Sequence, residues 1–146
     1  MSEVSELQVL RVDIARHGTF AASCCADGSV SLWNMRGEEP LCKHELCYDT
    51  EGNNKIVGLA LNGDGTRMVT HTRDTVCLWD TSIPSCSRIV HTLPRASHTN
   101  IVTSAVISDD GLRIATSCGD SVARVFSIGA NETTVVEMRG HSKWIT

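Results

Sequence analysis

The side chains that could do chemistry together are His98, Thr116 and Asp120, because an imidazole, a hydroxyl and a carboxylate are the groups of a hydrolytic triad. The rest of the sequence does not support catalysis. It contains neither a Gly-x-Ser-x-Gly nucleophile elbow nor a Walker phosphate-binding loop. We therefore expect no catalytic residue, no cofactor and no enzymatic activity, and the three residues need a structural explanation.

A metal site is the second chemical possibility. Cys42, His44 and Cys47 are of the types that bind zinc, and residues 42 and 44 would share one face of a strand. A fourth ligand is not evident, and no Cys-x-x-Cys pair occurs in the sequence. The segment from His44 also begins like the His-Glu-x-x-His helix of zinc proteases, but its fifth residue is Tyr48. We therefore expect no bound metal.

The composition is typical of a globular intracellular protein. Lys and Arg number 13 and Asp and Glu 17, which gives a net charge of −4, and the basic residues are scattered singly. This distribution argues against nucleic-acid binding, which needs a basic patch. The sequence has no long apolar run and no basic leader, so no membrane attachment is expected. Seven cysteines, an odd number, indicate a reduced compartment, the cytoplasm or nucleus.

The positions of these residues are explained by an internal repeat. Three segments each begin with a polar-Gly turn, continue as a short apolar run, reach an aspartate and end in an aromatic residue. The aspartates and aromatics recur at nearly constant spacing, at Asp27 and Trp33, Asp74 and Trp79, and Asp120 and Phe126. Alignment of the three copies needs a single one-residue deletion, just after Asp74.

The local patterns predict strands rather than helices. The runs that end at Trp33 and Trp79 alternate with period two and are rich in β-branched and aromatic residues. Further strands are predicted before each polar-Gly turn and after each aromatic residue, so each unit has four strands. These flanking strands are predicted over residues 9–15, 56–61 and 101–107 and over 41–44, 88–93 and 133–138.

These features resemble the WD-repeat (WD40) family, whose members are β-propellers with four-stranded blades. The similarity rests on the run from Thr75 to Asp80, on Met138-Arg139-Gly140-His141 and on Ser108-Asp109-Asp110-Gly111. The resemblance implies an all-β fold, an incomplete WD40-type propeller segment with antiparallel blades. We expect the first blade with its outer strand and linker in residues 1–50, the second in 51–96, the third in 97–139, and the start of a further blade in 140–146.

The resemblance also assigns a structural tetrad to each blade, formed by a histidine, a serine or threonine, an aspartate and a tryptophan. No unit of this sequence is complete, because the first two lack the histidine and Phe126 cannot donate a hydrogen bond as an indole would. The matching positions are Ser23, Asp27 and Trp33; Thr70, Asp74 and Trp79; and His98, Thr116, Asp120 and Phe126. The aromatic residues should fill one face of each sheet, and Val30, Leu32, Val76 and Leu78 the other.

By resemblance, the chain is a non-catalytic scaffold that mediates protein–protein interactions in an intracellular complex. Transfer of the family's binding face gives Arg73, Thr99, Asn100, Lys143 and Trp144. One alternative is a substrate receptor or adaptor of a ubiquitin ligase, because Trp33-Asn34-Met35-Arg36 is similar to the Trp-Asp-x-Arg box of such proteins. Another is a regulatory sensor segment of a larger enzyme.

The blade count predicts the kind of partner. Three blades cannot close a ring, since propellers typically have about 4–8 blades, and an open array exposes an apolar face at each end. The expected partners are proteins or peptides, together with further blades supplied by a longer chain, a second copy or a partner chain.

Overall fold

The computed structural model describes residues 8–37, 41–47, 55–82, 88–93, 100–143 and 145, with residues 41–47 and 88 described at the backbone. All regular secondary structure in these ranges is β-strand. The described ranges contain no helix long and apolar enough to cross a membrane.

Twelve strands alternate with short connections. They are β1 (Val9–Ile14), β2 (Phe20–Cys25), β3 (Ser29–Asn34), β4 (Leu41–Cys47), β5 (Gly58–Leu61), β6 (Arg67–His71), β7 (Val76–Asp80), β8 (Arg88–Thr92), β9 (Val102–Ile107), β10 (Arg113–Cys118), β11 (Ala123–Ile128) and β12 (Thr133–Met138). The predicted strands are all present, although β5 begins two residues later than expected and β4 extends to Cys47.

The strands form three four-stranded antiparallel sheets, each a simple meander. We name them blade 1 (β1–β4), blade 2 (β5–β8) and blade 3 (β9–β12). The expected all-β fold of antiparallel, four-stranded sheets is confirmed. The inner strands β1, β5 and β9 lie side by side along the array, because β5 contacts both of the other two.

The turn after each inner strand has the same geometry in all three blades. Gly18, Gly65 and Gly111 have φ angles of 67°, 76° and 71°, in the left-handed region that favours glycine. At Gly65 the requirement is also steric, since an added Cβ would lie 2.7 Å from the Phe20 ring of blade 1. These turns lie at one edge of the array, which we call the turn edge.

The hydrophobic core consists of two layers, one on each side of blade 2. Trp79 and Met68 of blade 2 pack with Leu32 of blade 1 in one layer. Leu78 of blade 2 packs with Phe126 of blade 3 in the other. Successive residues of β7 therefore enter opposite layers, as the period-two alternation predicts.

The outer faces of blades 1 and 3 remain open to solvent. Val12 of blade 1 is 72% exposed and Val136 of blade 3 is 62% exposed. Trp33 lies on the open face of blade 1 and is half-buried, whereas its counterpart Trp79 is 5% exposed. The sequence predicts equivalent environments for the two indoles; the structure differs because no sheet among the described residues covers the Trp33 face of blade 1.

Ion pairs and hydrogen bonds tie the three blades together at the turn edge. Arg16 of blade 1 pairs with Asp109 of blade 3 at 2.6 Å, although both side chains are largely exposed. Arg67 of blade 2 donates to the carbonyl oxygen of Gly111 in blade 3 at 2.9 Å. The guanidinium groups of Arg16 and Arg67 are thus engaged in contacts between blades.

A cationic cleft across the three inner strands

The edge opposite the turn edge carries a cleft of about 440 Å³, which we call the inner cleft. All three blades contribute to it, because it spans the beginnings of the inner strands and includes the β6–β7 turn. The described residues that line it are Arg11, Val57, Gly58, Leu59, His71, Arg73, Ile101, Val102, Thr103, Ser104 and Ala105.

Arg73 stands at the rim of the inner cleft on a turn of fixed geometry. The Thr72 hydroxyl accepts hydrogen bonds from the amides of Asp74 and Thr75, at 3.2 and 3.0 Å. The carbonyl oxygen of Arg73 accepts a hydrogen bond from the Val102 amide of blade 3 at 2.8 Å. The backbone is therefore held in place while the Arg73 side chain is exposed.

His71 forms part of the cleft wall beneath Arg73. Its ring is 5% exposed and lies directly against Gly58, where any side chain would collide with Nε2. Nδ1 is 3.2 Å from the Thr72 carbonyl oxygen, which can only accept, so Nδ1 carries the proton and Nε2 is an acceptor in the neutral ring. Burial lowers the pKa of His71; the Thr72 contact opposes this, and the nearby charge of Arg11 adds to it.

The other polar groups of the cleft come from β1 and β9. Arg11 is exposed, and one of its guanidinium nitrogens donates to the Leu10 carbonyl at 2.9 Å. The Thr103 hydroxyl donates to the carbonyl oxygen of Ile145 at 2.6 Å and lies 2.7 Å from the Ser117 hydroxyl. The residues expected to begin a further blade therefore contact blade 3 at Ile145.

In blades 1 and 2, the tryptophan of the tetrad donates a hydrogen bond to the serine or threonine of the tetrad. The Trp79 indole donates to the Thr70 hydroxyl at 2.8 Å, and the pair is buried. The Trp33 indole donates to the Ser23 hydroxyl at 3.2 Å, on the open face of blade 1. In blade 3, Thr116 and Phe126 are both buried, and His98 lies outside the described residues.

The three tetrad aspartates have different environments. Asp27 is exposed and accepts hydrogen bonds from the amide and hydroxyl of Ser29, which lower its pKa. Asp74 is also exposed, in the β6–β7 turn. Asp120 accepts hydrogen bonds from the Val122 amide at 3.0 Å and from Arg124 at 2.8 Å.

Arg124 is a buried cation that sequence reasoning missed. Its side chain is 3% exposed and also contacts Glu137 at 3.1 Å. Burial opposes its charge, but the hydrogen bonds and charges of Asp120 and Glu137 outweigh burial and raise its pKa. Its second terminal nitrogen has no acceptor among the described residues. Asp120 is thus part of a buried ion pair, which gives it a structural role.

Part of the binding face assigned from the resemblance can be located. Arg73 lines the inner cleft, and Asn100 precedes the cleft residue Ile101, whose amide donates to the Asn100 side chain at 2.8 Å. Lys143 is exposed near the end of the chain. Thr99 and Trp144 lie outside the described residues.

Within the described ranges, the polar side chains that line the inner cleft are those of Arg11, His71, Arg73, Thr103 and Ser104. Those ranges hold no group of three His, Cys, Asp or Glu residues placed to bind a metal ion. The side chains of Cys42, His44 and Cys47 are outside the described part. Burial raises the pKa of Cys24, which keeps that thiol protonated and unreactive. The polar side chains of the cleft can form hydrogen bonds and charge pairs.

Gly58 is a residue from which part of the cleft could have been predicted. Gly58 lies inside the strand pattern of β5, and an isolated glycine in a strand often marks a close approach by another group. That group is the His71 ring. No comparable sequence feature indicates that Arg11 and Ser104 line the cleft, because they come together only when strands distant in sequence pack against each other.

Comparison with known protein families agrees with this architecture. The family model for the WD domain, G-beta repeat, matches residues 3–34 and 87–127, which together make up half of the chain. A search of curated proteins found no match. Members of this family are typically non-catalytic and mediate protein–protein interactions. With three four-stranded blades and two matches to the family's repeat, the chain belongs to the WD40 repeat family.

Proposed function

We propose that this chain is a non-catalytic scaffold that binds another protein through the inner cleft. The observation that carries the proposal is the cleft itself, to which all three blades contribute residues. Its walls are held by contacts between blades, such as the Val102 amide to the Arg73 carbonyl, so it is formed before a partner arrives. A preformed concave site with a few convergent polar groups is a typical ligand site.

The proposed location is inside the cell, in the cytoplasm or nucleus. The cysteines described as free thiols are Cys24, Cys25, Cys77 and Cys118. Cys24 and Cys77 are buried in the layer between blades 1 and 2, where they pack as small apolar residues. Unpaired thiols of this kind support a reducing compartment.

The ubiquitin-ligase alternative gains no support from the described geometry. The Asn34 side chain accepts the Arg36 amide at 3.1 Å, and the Arg36 guanidinium lies 5.9 Å from the centre of the Phe20 ring. Both residues thus have local structural contacts. A sensor segment of a larger enzyme would use the same cleft, so partner identification separates it from the scaffold proposal.

Affinity capture with a blocked cleft tests the proposed function. The Ile101 side chain is 37% exposed at the cleft, so Ile101→Trp can fill the cleft without disturbing the core. Leu112→Trp is the matched control, because Leu112 is 47% exposed at the turn edge. We expect wild type and Leu112→Trp to retain the same proteins from a cell lysate and Ile101→Trp to lose them. Identical capture by all three proteins would contradict the proposal.

A further inference from the structure

The inner cleft has a charge opposite to that of the whole chain. The net charge is −4, yet the charged residues that line the described cleft are two arginines, Arg11 and Arg73. No carboxylate is among the described lining residues. A concave site lined by charge of one sign concentrates the field and attracts ligands of the opposite sign.

Arg73 differs from Arg16 and Arg67 at the turn edge, because its side chain is available to a ligand. Arg16 is paired with Asp109, and Arg67 donates to Gly111. Within the described residues, no hydrogen bond or ion pair engages the guanidinium of Arg73, and its backbone is fixed on both sides of the turn. Such a group can bind a carboxylate through two parallel hydrogen bonds, and because the backbone is already held, only the side chain loses freedom on binding.

The rest of the cleft wall suits a peptide. The Ser104 hydroxyl can donate or accept a hydrogen bond. Ile101 and Val57 supply apolar surface. A nucleic acid would need more phosphate-binding groups than two arginines on a chain of net negative charge.

We propose that the inner cleft binds an acidic segment of a partner protein, with a glutamate or aspartate carboxylate held between Arg73 and Arg11. The inference rests on the proposed function and specifies the chemistry of the partner. The Ser104 hydroxyl then contacts the backbone of the segment beside the carboxylate.

Fluorescence anisotropy with the full chain tests the acidic ligand. The probe is a fluorescein-labelled peptide of alternating Gly and Glu, and the comparison probe has Gln in place of every Glu. We expect the Glu probe to bind and the Gln probe to bind at least tenfold more weakly, since the neutral Gln amide cannot form the charge-assisted hydrogen bonds of a carboxylate. Equal binding of the two probes, or no binding of either, would overturn the proposal.

Variants that each remove one positive charge test whether the Glu probe binds in the inner cleft. Arg73→Gln and Arg11→Gln should each weaken Glu-probe binding about tenfold, since one charge-assisted contact is lost. Arg113→Gln is the matched control, because Arg113 is exposed but begins β10 at the turn edge, and it should bind as wild type does. Equal losses in all three variants would indicate nonspecific attraction and would also overturn the proposal.

Two further results separate this inference from its alternatives. Tighter binding of a labelled single-stranded oligonucleotide than of the Glu probe, with the same loss in Arg73→Gln, would replace the acidic peptide by a nucleic acid. If Ile101→Trp abolishes protein capture while Arg73→Gln leaves Glu-probe binding unchanged, the scaffold proposal stands and the acidic ligand is wrong. If capture is unaffected by Ile101→Trp, the proposed function itself fails.

Discussion

The β6–β7 turn of blade 2 and the β10–β11 turn of blade 3 occupy equivalent places in the repeat but have opposite roles. In blade 3, Asp120 is held by the buried Arg124 of β11. In blade 2 the position equivalent to Arg124 is Cys77, and the equivalent aspartate, Asp74, is exposed beside Arg73. One turn is closed by an internal ion pair, and the other presents its charges to solvent. An aspartate shared by repeats therefore does not have the same function in each of them.

The turns also differ in length, as the one-residue deletion after Asp74 predicts. In blades 1 and 3 the residue after the aspartate, Gly28 or Ser121, has φ of 91° or 65°. Blade 2 has no such residue, and the hydroxyl of Thr72 closes its turn instead. The shorter turn is the one whose Arg73 lines the inner cleft.

Among the substitutions that test the different roles of the two turns, we expect a change at Asp120 to have the largest effect on stability. Asp120→Asn removes the charge that pairs with Arg124, whose side chain is 3% exposed, and should lower the free energy of unfolding by about 3–5 kcal/mol. Asp74→Asn, at the equivalent exposed position, should change it by less than about 0.5 kcal/mol. Urea denaturation measures both, and similar values for the two variants would contradict the assigned roles.

The next effect is at Thr72, which holds the open turn. Thr72→Val keeps the shape of the side chain but leaves the amides of Asp74 and Thr75 without their acceptor, at a cost of about 1–2 kcal/mol. The same variant should weaken Glu-probe binding, because Arg73 is no longer held in place. A variant with wild-type stability and wild-type binding would show that the hydroxyl does not organise the turn.

A smaller effect, of opposite sign, is expected at Ser121. Its φ of 65° is unfavourable for a serine, and blade 1 has a glycine at the equivalent position. Ser121→Gly should therefore stabilise the protein by up to about 1 kcal/mol, the relief of strain being partly offset by the flexibility of glycine in the unfolded chain. Thermal unfolding followed by circular dichroism would detect the rise in Tm, and a fall would mean that the serine side chain makes a net favourable contribution.

The smallest expected effect is a pH dependence from His71. Burial lowers the folded-state pKa of His71 below its usual 6.5, so the unfolded chain binds more protons as the pH falls below that value. Stability should therefore decrease from pH 6.5 towards the lower, folded-state pKa. His71→Gln should remove this dependence of stability on pH near 6.5. The variant should still lose stability at lower pH, where Asp27, Asp64 and Asp110 become protonated. An unchanged slope in His71→Gln would contradict the account.

The strands and turns of this fold could be predicted because their signals are local. Period-two alternation in Ser29–Trp33 and the glycine of each polar turn depend on neighbours a few residues away. The difference in solvent exposure between Trp33 and Trp79 could not be predicted in the same way, since it depends on whether another blade covers the sheet face that carries the indole. Arg124 did carry a signal, a charge within an apolar strand four residues after Asp120.

The inner cleft was only partly predictable. Arg73, one of the residues assigned to the binding face by resemblance, lines the cleft, whereas Arg11, His71 and Ser104 were not among the assigned residues. These three residues lie on three different blades, in β1, β6 and β9, and their proximity results from the packing of the blades against one another. Periodicity within one segment contains no information on that packing.

Site-specific photo-crosslinking tests the central claim, that a partner protein occupies the inner cleft. A photoreactive phenylalanine analogue is placed at position 101, in the cleft, and in parallel at position 112, at the turn edge. After irradiation in cells, we predict a discrete protein adduct from position 101, lost in the Arg73→Gln background, and none from position 112. Adducts of equal yield from both positions, or from position 112 alone, would contradict the claim.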